Sequence, residues 1–285
     1  MYGVSFILFM LLVVTTRFSY SQTQPTHFIF SHGLGGGAEQ VYWYKPGNPA
    51  HWFILDNHTH TFDFPEMRYQ VVNGKRLPLP MDEAKVNLAQ EADIHALKQA
   101  YQQVLKSSTS SGIVLMGVSR GAAVTITFTA LEQPKHIQAL ILEAPFDSLE
   151  HIVEYLKAQY AHNNTSMQEA IELQWHFAAY NKHGIKPIDV IDKLDKNLPV
   201  LFIHSKQDKL ISLESCRNLY TKLKKSGRTQ VYLLELDHGE HANYQSGKDA
   251  FKYQATVHAF YKRYGITHNE QLALQGHIFL DAAQP

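Results

Sequence analysis

Residues Gly117-Val118-Ser119-Arg120-Gly121 form a G-x-S-x-G motif set between two apolar segments of different character. Ahead of it runs Ile113-Val114-Leu115-Met116, a short β-prone stretch opened by Gly112. Behind it runs Ala122 to Leu131, largely apolar and long enough for a buried helix. Glycines on both sides of a serine allow a strand and a helix to approach closely, leaving the hydroxyl standing at the C-terminal edge of a sheet. That is the context a nucleophile elbow needs. Taken alone, the motif also fits a Gly-flanked serine in an ordinary strand-to-helix turn, so the rest of the chain has to decide.

Beyond the motif, strand-like and helix-like segments alternate. His27 to Phe30, Thr59 to Phe64, Ala139 to Leu142, Val200 to Ile203 and Val231 to Leu236 read as strands, making about six with the one before Ser119. Asp82 to Lys106, Leu213 to Lys225 and Asp249 to Tyr264 read as helices. The class expected is α/β, with a mainly parallel sheet covered by helices on both faces and right-handed crossovers. Sites in such sheets lie beyond the C-terminal strand ends. Residues 149–196 are mostly helical and interrupt the alternation, carrying Tyr155, Tyr160, Trp175, Phe177 and Tyr180. These aromatics either cap a water-poor site or merely seal the helices onto the body. After Tyr264 no strong signal remains, although Ile278-Phe279-Leu280 is able to pack back onto the surface.

A serine nucleophile needs a base to take its proton and a carboxylate to hold and support that base. Asp208 follows the strand Val200 to Ile203, and Asp237-His238-Gly239-Glu240-His241 follows Val231 to Leu236. The order serine, acid, histidine is therefore met at successive strand ends. Two histidines compete for the role of base. His241 lies farther beyond the strand end and has the longer reach back to the serine, with Gly239 to bend the loop. His238 is followed directly by that glycine and remains the alternative. For an oxyanion hole, one backbone donor is expected at Arg120, which opens the helix, and the other at Leu34, with Gly33 also possible. The run Gly35-Gly36-Gly37 lets the backbone pass near a substrate, and it lacks the spacing of a phosphate cradle.

Lys and Arg total 26 and Asp and Glu total 26, so no net charge points to nucleic acid. The 17 histidines are scattered, with no H-E-x-x-H and no paired Cys/His spacing; neither a metal nor a cofactor is expected. Val4 to Val14 is almost wholly apolar, too short to span a bilayer comfortably, and is followed by small Ser19 and Ser21 before Gln22. It reads as an export signal over residues 1–21, cleaved or retained as an anchor, although no Lys or Arg precedes the apolar run. One domain is expected over residues 22–285. Cys216 is the only cysteine, which excludes an internal disulfide, and it reads as a small core residue. Such a protein suits a bacterial envelope as well as a eukaryotic secretory route, where Asn57, Asn163 and Asn164 would be glycosylation acceptors.

Together these parts resemble the α/β-hydrolases, in the style of small serine hydrolases related to prolyl oligopeptidases and acyl-protein-thioesterase-like enzymes. The strand leading into His32-Gly33, the elbow, Leu140 to Ser148 (LILEAPFDS) and Phe202 to Leu210 (FIHSKQDKL) carry the likeness, over about residues 26–264. The resemblance implies the hydrolase strand order, with the first strand here matching the family's third, and a lid at about 149–196. Arg120 departs from the Met, Leu or Gly often found after the nucleophile. It either contacts an acidic substrate or pairs with a carboxylate such as Glu143. The expectation is an exported serine hydrolase acting on an ester or thioester of a small-molecule or acyl substrate, with Ser119, Asp208 and His241 as its triad. No protein partner is inferable. Two further readings stay open: a peptidase of the prolyl-oligopeptidase type, for which this sequence supplies no propeller to filter large peptides, and a non-catalytic binding protein on the same fold.

Overall fold

Alternation of side chains along the strands divides the interior into two layers. The computed structural model describes residues 26–45, 53–54, 58–65, 69–72, 75–78, 88–107, 112–176 and 180–284. In chain order these form β1 (His27–Ser31), β2 (Thr59–Thr61), an antiparallel pair β3 (Tyr69–Val72) and β4 (Lys75–Pro78), α1 (Glu91–Ser107), β5 (Ile113–Val118) and α2 (Arg120–Glu132). There follow β6 (Ile137–Glu143), α3 (Leu149–Tyr160), α4 (Thr165–His176), α5 (Pro187–Val190), β7 (Val200–Ser205), α6 (Leu213–Lys225), β8 (Val231–Leu236), α7 (Ala250–Arg263) and α8 (Glu270–Ala282). Six strands make one sheet in the order β2-β1-β5-β6-β7-β8, every neighbouring pair parallel.

Ile29, Leu115, Leu140, Leu142 and Phe202 point to one face of the sheet, where they meet Ala123, Ile126 and Phe128 of α2 and Leu219 and Leu223 of α6. Phe28, Phe30, Val114, Met116, Ile141 and Leu201 point to the other, against Tyr253, Val257 and Phe260 of α7 and Leu280 of α8. Each fully buried Phe or Ile of these layers contributes roughly 1.5–3 kcal/mol. Cys216 lies in the first layer, as a core residue; burial pushes its thiol well above the ordinary range.

The strand order turns at β1, which has β2 on one side and β5 on the other. The crevice outside the C-terminal ends of β1 and β5 is therefore the switch point, where an open parallel sheet leaves room for a ligand.

Several boundaries differ from the sequence reading. The strand beginning at Thr59 stops at Thr61 instead of Phe64. Asp63 leaves the sheet to accept the Ala38 N–H (2.8 Å), and the Phe64 N–H goes to the His32 ring (3.3 Å). The helix expected from Asp82 begins at Glu91, after Ala89 at φ 59°, while residues 82–87 lie outside the described residues. Asp93 sets that start by accepting the Ala89 N–H (2.9 Å). The antiparallel pair β3–β4 and helix α8 are additional to the elements the sequence predicts. Helix α8 crosses α7 so closely that a Cβ on Gly276 would lie 1.8 Å from the Ala255 carbonyl oxygen. Its C-terminal end supplies the Ala283 carbonyl to the Leu233 N–H of β8 (2.7 Å).

Residues 149–196 contribute α3, α4 and α5. Tyr155 donates to the Asp208 main-chain carbonyl (2.8 Å) and Tyr180 to Glu150 (3.0 Å), whereas Tyr160 is exposed. The side chain of Trp175, the whole of Phe177 and the expected signal at 1–21 lie outside the described residues. Among the described residues no helix is long and apolar enough to cross a membrane.

Candidate active site

β5 ends at Val118 and α2 begins at Arg120, so Ser119 makes the turn alone, at φ 55° and ψ −114°. A residue with a Cβ held there costs of order 1–3 kcal/mol, and such positions persist only where neighbours enforce them. Here the Ser119 N–H donates to the Glu143 carbonyl (2.8 Å), and the Ser119 carbonyl accepts from the Ala123 N–H (3.1 Å). The flanking glycines are demanded by space. A Cβ on Gly121 would sit 1.9 Å from the Ser31 carbonyl oxygen, and one on Gly117 would sit 2.5 Å from the Gly121 carbonyl carbon.

The loop after β8 brings His241 over the sheet edge, with Gly239 at φ 127° and Ala242 at φ 54° making the bends. His241 Nε2 lies 2.9 Å from Ser119 Oγ, and its Nδ1 lies 2.7 Å from Asp208 Oδ2. A proton on Nδ1 facing the carboxylate leaves Nε2 as the acceptor for the serine hydroxyl. His238 goes elsewhere: its main-chain N–H donates to Asp249 Oδ2 (2.7 Å), ahead of α7, and its ring is 41% exposed. Of the two candidates, the structure joins His241 to Ser119.

Asp208 is buried on the loop after β7. Oδ1 accepts the Leu210 and Ile211 amides (2.8 and 2.9 Å), and Oδ2 accepts the Tyr244 hydroxyl (2.5 Å) beside His241. Burial alone would raise this carboxyl, but the hydrogen bond and charge of His241, then the charge of His204 and the Ile211 amide, bring it below its ordinary value. It remains ionised at neutral pH. His204, with Nε2 3.7 Å from Asp208 Oδ2, donates to the Ile211 carbonyl (3.0 Å) and is itself pushed down by burial.

The loop after β1 closes the other side. His32 is buried, its Nδ1 donating to the Gly33 carbonyl (2.8 Å) and its Nε2 accepting from Phe64; burial lowers it, which favours this neutral form. The Gly33 N–H is held by Gln40 Oε1 (2.7 Å), so Gly33 has no amide to offer a substrate. The Leu34 N–H has no backbone acceptor among the described residues, and Leu34 borders the same cavity as Ser119 and Arg120. That cavity, about 110 Å³, is walled largely by apolar groups: Leu88, Phe146, Leu149, Ile152, Leu210 and Ile211. On the far side of His241, an open groove runs along Gly35-Gly36-Gly37 past Trp43 and Asn243.

The pairing suggested between Arg120 and Glu143 is not made. Arg120 joins Asp93 of α1, with Nε 2.6 Å from Oδ2, and its guanidinium lies 4.5 Å from the Phe64 ring. Glu143 is separated from it by the sheet. Its carboxylate sits in the other layer, between Tyr44 and Tyr253. Tyr244, Gln40 and Asp93 are not marked in the sequence: Tyr244 and Asp93 meet Asp208 and Arg120 only when distant segments come together, and Gln40 reaches Gly33 only through the fold of the loop after β1. Among the described residues no group of three or more His, Cys, Asp or Glu is arranged to hold a metal.

Residues 90–266, more than half of the chain, match the prolyl oligopeptidase family. The uncharacterized protein YqkD of Bacillus subtilis is 30% identical over 161 residues, covering 55% of this chain and 50% of that protein. The chain thus spans about half the length of this curated relative. Among solved structures, the Pyrococcus furiosus esterase Pf2001 superposes with a TM-score of 0.59 at 20% identity, covering 86% of this chain and 84% of that one. Est1E from Butyrivibrio proteoclasticus, solved with ferulic acid bound, gives 0.53 at 16%, with 85% and 90% covered. The acylaminoacyl peptidase of Pyrococcus horikoshii gives 0.51 at 16%, with 85% of this chain but 37% of that one covered. At such identities the structures establish a shared fold, that of the α/β-hydrolases. With the family match, they lead to one conclusion: the chain belongs to the prolyl oligopeptidase family, within the α/β-hydrolase superfamily.

Proposed function

We propose that this protein is a serine hydrolase that cleaves the ester or thioester bond of a small acyl substrate through Ser119, His241 and Asp208. One observation carries the reading: a single imidazole lies 2.9 Å from Ser119 Oγ and 2.7 Å from the Asp208 carboxylate. In this reading Ser119 Oγ attacks the substrate carbonyl carbon as its proton passes to His241 Nε2. The tetrahedral oxyanion accepts hydrogen bonds from the amides of Leu34 and Arg120, the second reinforced by the N-terminus of α2. Collapse expels the alcohol or thiol, which takes the proton from His241, and water then releases the acid from Ser119 by the same steps. Asp208 stays ionised throughout and supports the imidazolium. The apolar cavity of about 110 Å³ beside Ser119 suits a short acyl group, since pockets for drug-sized ligands run to roughly 300–1,000 Å³.

Peptide hydrolysis is the second reading, favoured by the family match over residues 90–266. An amine leaving group needs the same proton from His241, so chemistry alone does not separate the two. Export is proposed from the apolar segment Val4 to Val14, and cell fractionation with N-terminal sequencing of the mature protein tests it.

The deciding experiment is labelling with a fluorophosphonate, followed by turnover of p-nitrophenyl esters and matched anilides. Ser119→Ala should lose both labelling and turnover while melting close to the wild type. Labelling that persists on another serine overturns the assignment, and faster turnover of the anilides favours the peptidase.

A further inference from the structure

Glu143 is a buried acid that the proposed chemistry leaves unused. It is the last residue of β6, and its main-chain carbonyl accepts the Ser119 N–H at 2.8 Å. Its side chain is 0% exposed. The Tyr44 hydroxyl donates to both carboxylate oxygens (3.1 and 3.0 Å), and the Tyr253 hydroxyl donates to Oε2 (2.6 Å). Among the described residues no lysine or arginine pairs with it. A carboxylate buried without a cation is an expensive filler, since a neutral side chain of the same shape packs there without desolvating a charge.

The titratable groups that act on it come from several elements. Tyr44, after the turn at Ala38–Trp43, and Tyr253 of α7 touch the carboxylate, while Asp208 and His241, on the loops after β7 and β8, are near enough for their charges to act on it. Tyr244, donor to Asp208, also lies within reach of its charge. Arg120 is occupied by Asp93 on the opposite face. The one neighbour that acquires positive charge during the proposed reaction is His241.

We propose that Glu143 is a second carboxylate of the active centre, a positioning residue whose negative charge stabilises the His241 imidazolium formed as Ser119 attacks. This rests on the hydrolase reading above. The two phenols keep the charge in place, because a hydroxyl donates more strongly to a carboxylate than to a carboxylic acid. Burial raises Glu143 to about 7, against the pull of Tyr253, Tyr44 and the charge of His241. Glu143 therefore gains its charge around neutral pH.

The test is kcat/KM against pH for the wild type, Glu143→Gln and Tyr253→Phe, using a short-chain p-nitrophenyl ester, with the rate of fluorophosphonate inactivation measured in parallel. In Glu143→Gln the acid limb should move to lower pH by roughly half to one unit and sharpen to a single ionisation. Its plateau should drop severalfold through kcat, with KM nearly unchanged. Tyr253→Phe leaves the carboxylate less supported, so it should resemble Glu143→Gln near neutrality and regain the wild-type rate at higher pH. An acid limb of Glu143→Gln that superposes on the wild type overturns the proposal. If that variant does not fold, a wild-type profile in Tyr253→Phe overturns it equally. Failure of the hydrolase reading looks different, since the wild type itself would show neither turnover nor labelling at Ser119.

Discussion

Arg120 and Asp93 form a two-pronged ion pair beneath the candidate active site, with Nε 2.6 Å from Oδ2 and Nη2 2.5 Å from Oδ1, at 3% and 0% side-chain exposure. It ties the first residue of α2 to the first turn of α1, and Asp93 also accepts the Ala89 N–H. Removing one partner strands a buried charge, so Asp93→Ala should cost about 3–5 kcal/mol in denaturant unfolding. The double change Asp93→Leu with Arg120→Met should recover much of that loss. Preference for acidic over neutral esters should be unaltered in the double variant; a change would return Arg120 to a substrate-binding role.

His241→Ala should lower kcat by on the order of 10⁴-fold or more, as loss of a triad member does. His238→Ala should cost little, because Asp249 bonds the main-chain amide of residue 238, which survives the substitution. Steady-state kinetics of both variants settle the ranking, and the reverse order would make His238 the base.

Gly121→Ala should destabilise the fold by about 3 kcal/mol or more, since the added methyl meets the Ser31 and His32 carbonyl oxygens at 1.9 and 2.8 Å. Gly35→Ala faces open space and meets only the strain of φ 79°, so about 1 kcal/mol is expected. Thermal melts separate the two, and equal losses would mean that the elbow relaxes more freely than this contact implies.

Leu210 is 37% exposed and lies on the cavity wall. Leu210→Trp should narrow the opening and shift the ester preference toward acetate over butyrate and hexanoate at little cost in stability. An unchanged chain-length profile would place the acyl group in the groove beyond His241 instead.

Glu143 also makes stability depend on pH. Its carboxyl is raised from 4.5 to about 7 by burial. Between these values the folded protein holds a proton that the unfolded chain has released. The stability this contributes is whole below 4.5 and is lost as pH rises through about 7. Glu143→Gln escapes that loss and should gain up to about 3 kcal/mol on the wild type between about pH 5 and pH 8. Melting curves that run parallel across this range would contradict it.

What the sequence displays plainly is what depends on neighbours in the chain. Gly117 to Gly121 is contiguous, and the need for glycine on both sides of Ser119 is local and steric. Asp208 and His241 are found by their distance past apolar strands. Tyr244 and Gln40 carry no such marker, because a hydroxyl or amide reaches its partner only through the path of a folded loop. The start of α1 is hidden in the sequence for a related reason. Apolar periodicity continues upstream to Asp82, whereas the helix begins where Asp93 can accept the Ala89 amide and receive Arg120 from 27 residues away. Helix α8 is not legible in the sequence because its buried face is Ala273, Gly276 and Leu280, while the larger Leu274 and Ile278 face outward. A face made of small residues sends no hydrophobic signal, yet it is what allows the helix to press onto α7.

The bond from the Leu233 N–H to the Ala283 carbonyl has a consequence for how one molecule meets another. β8 is the terminal strand of the sheet, and a terminal strand presents amides that can recruit a strand from a neighbouring chain. Helix α8, locked through Gly276, holds its end against that margin and occupies one of these amides in the middle of the strand. The close helix crossing thus acts at a distance, as a stopper on templated association. Loosening it would be felt first in the solubility of the protein, before any change reached the serine.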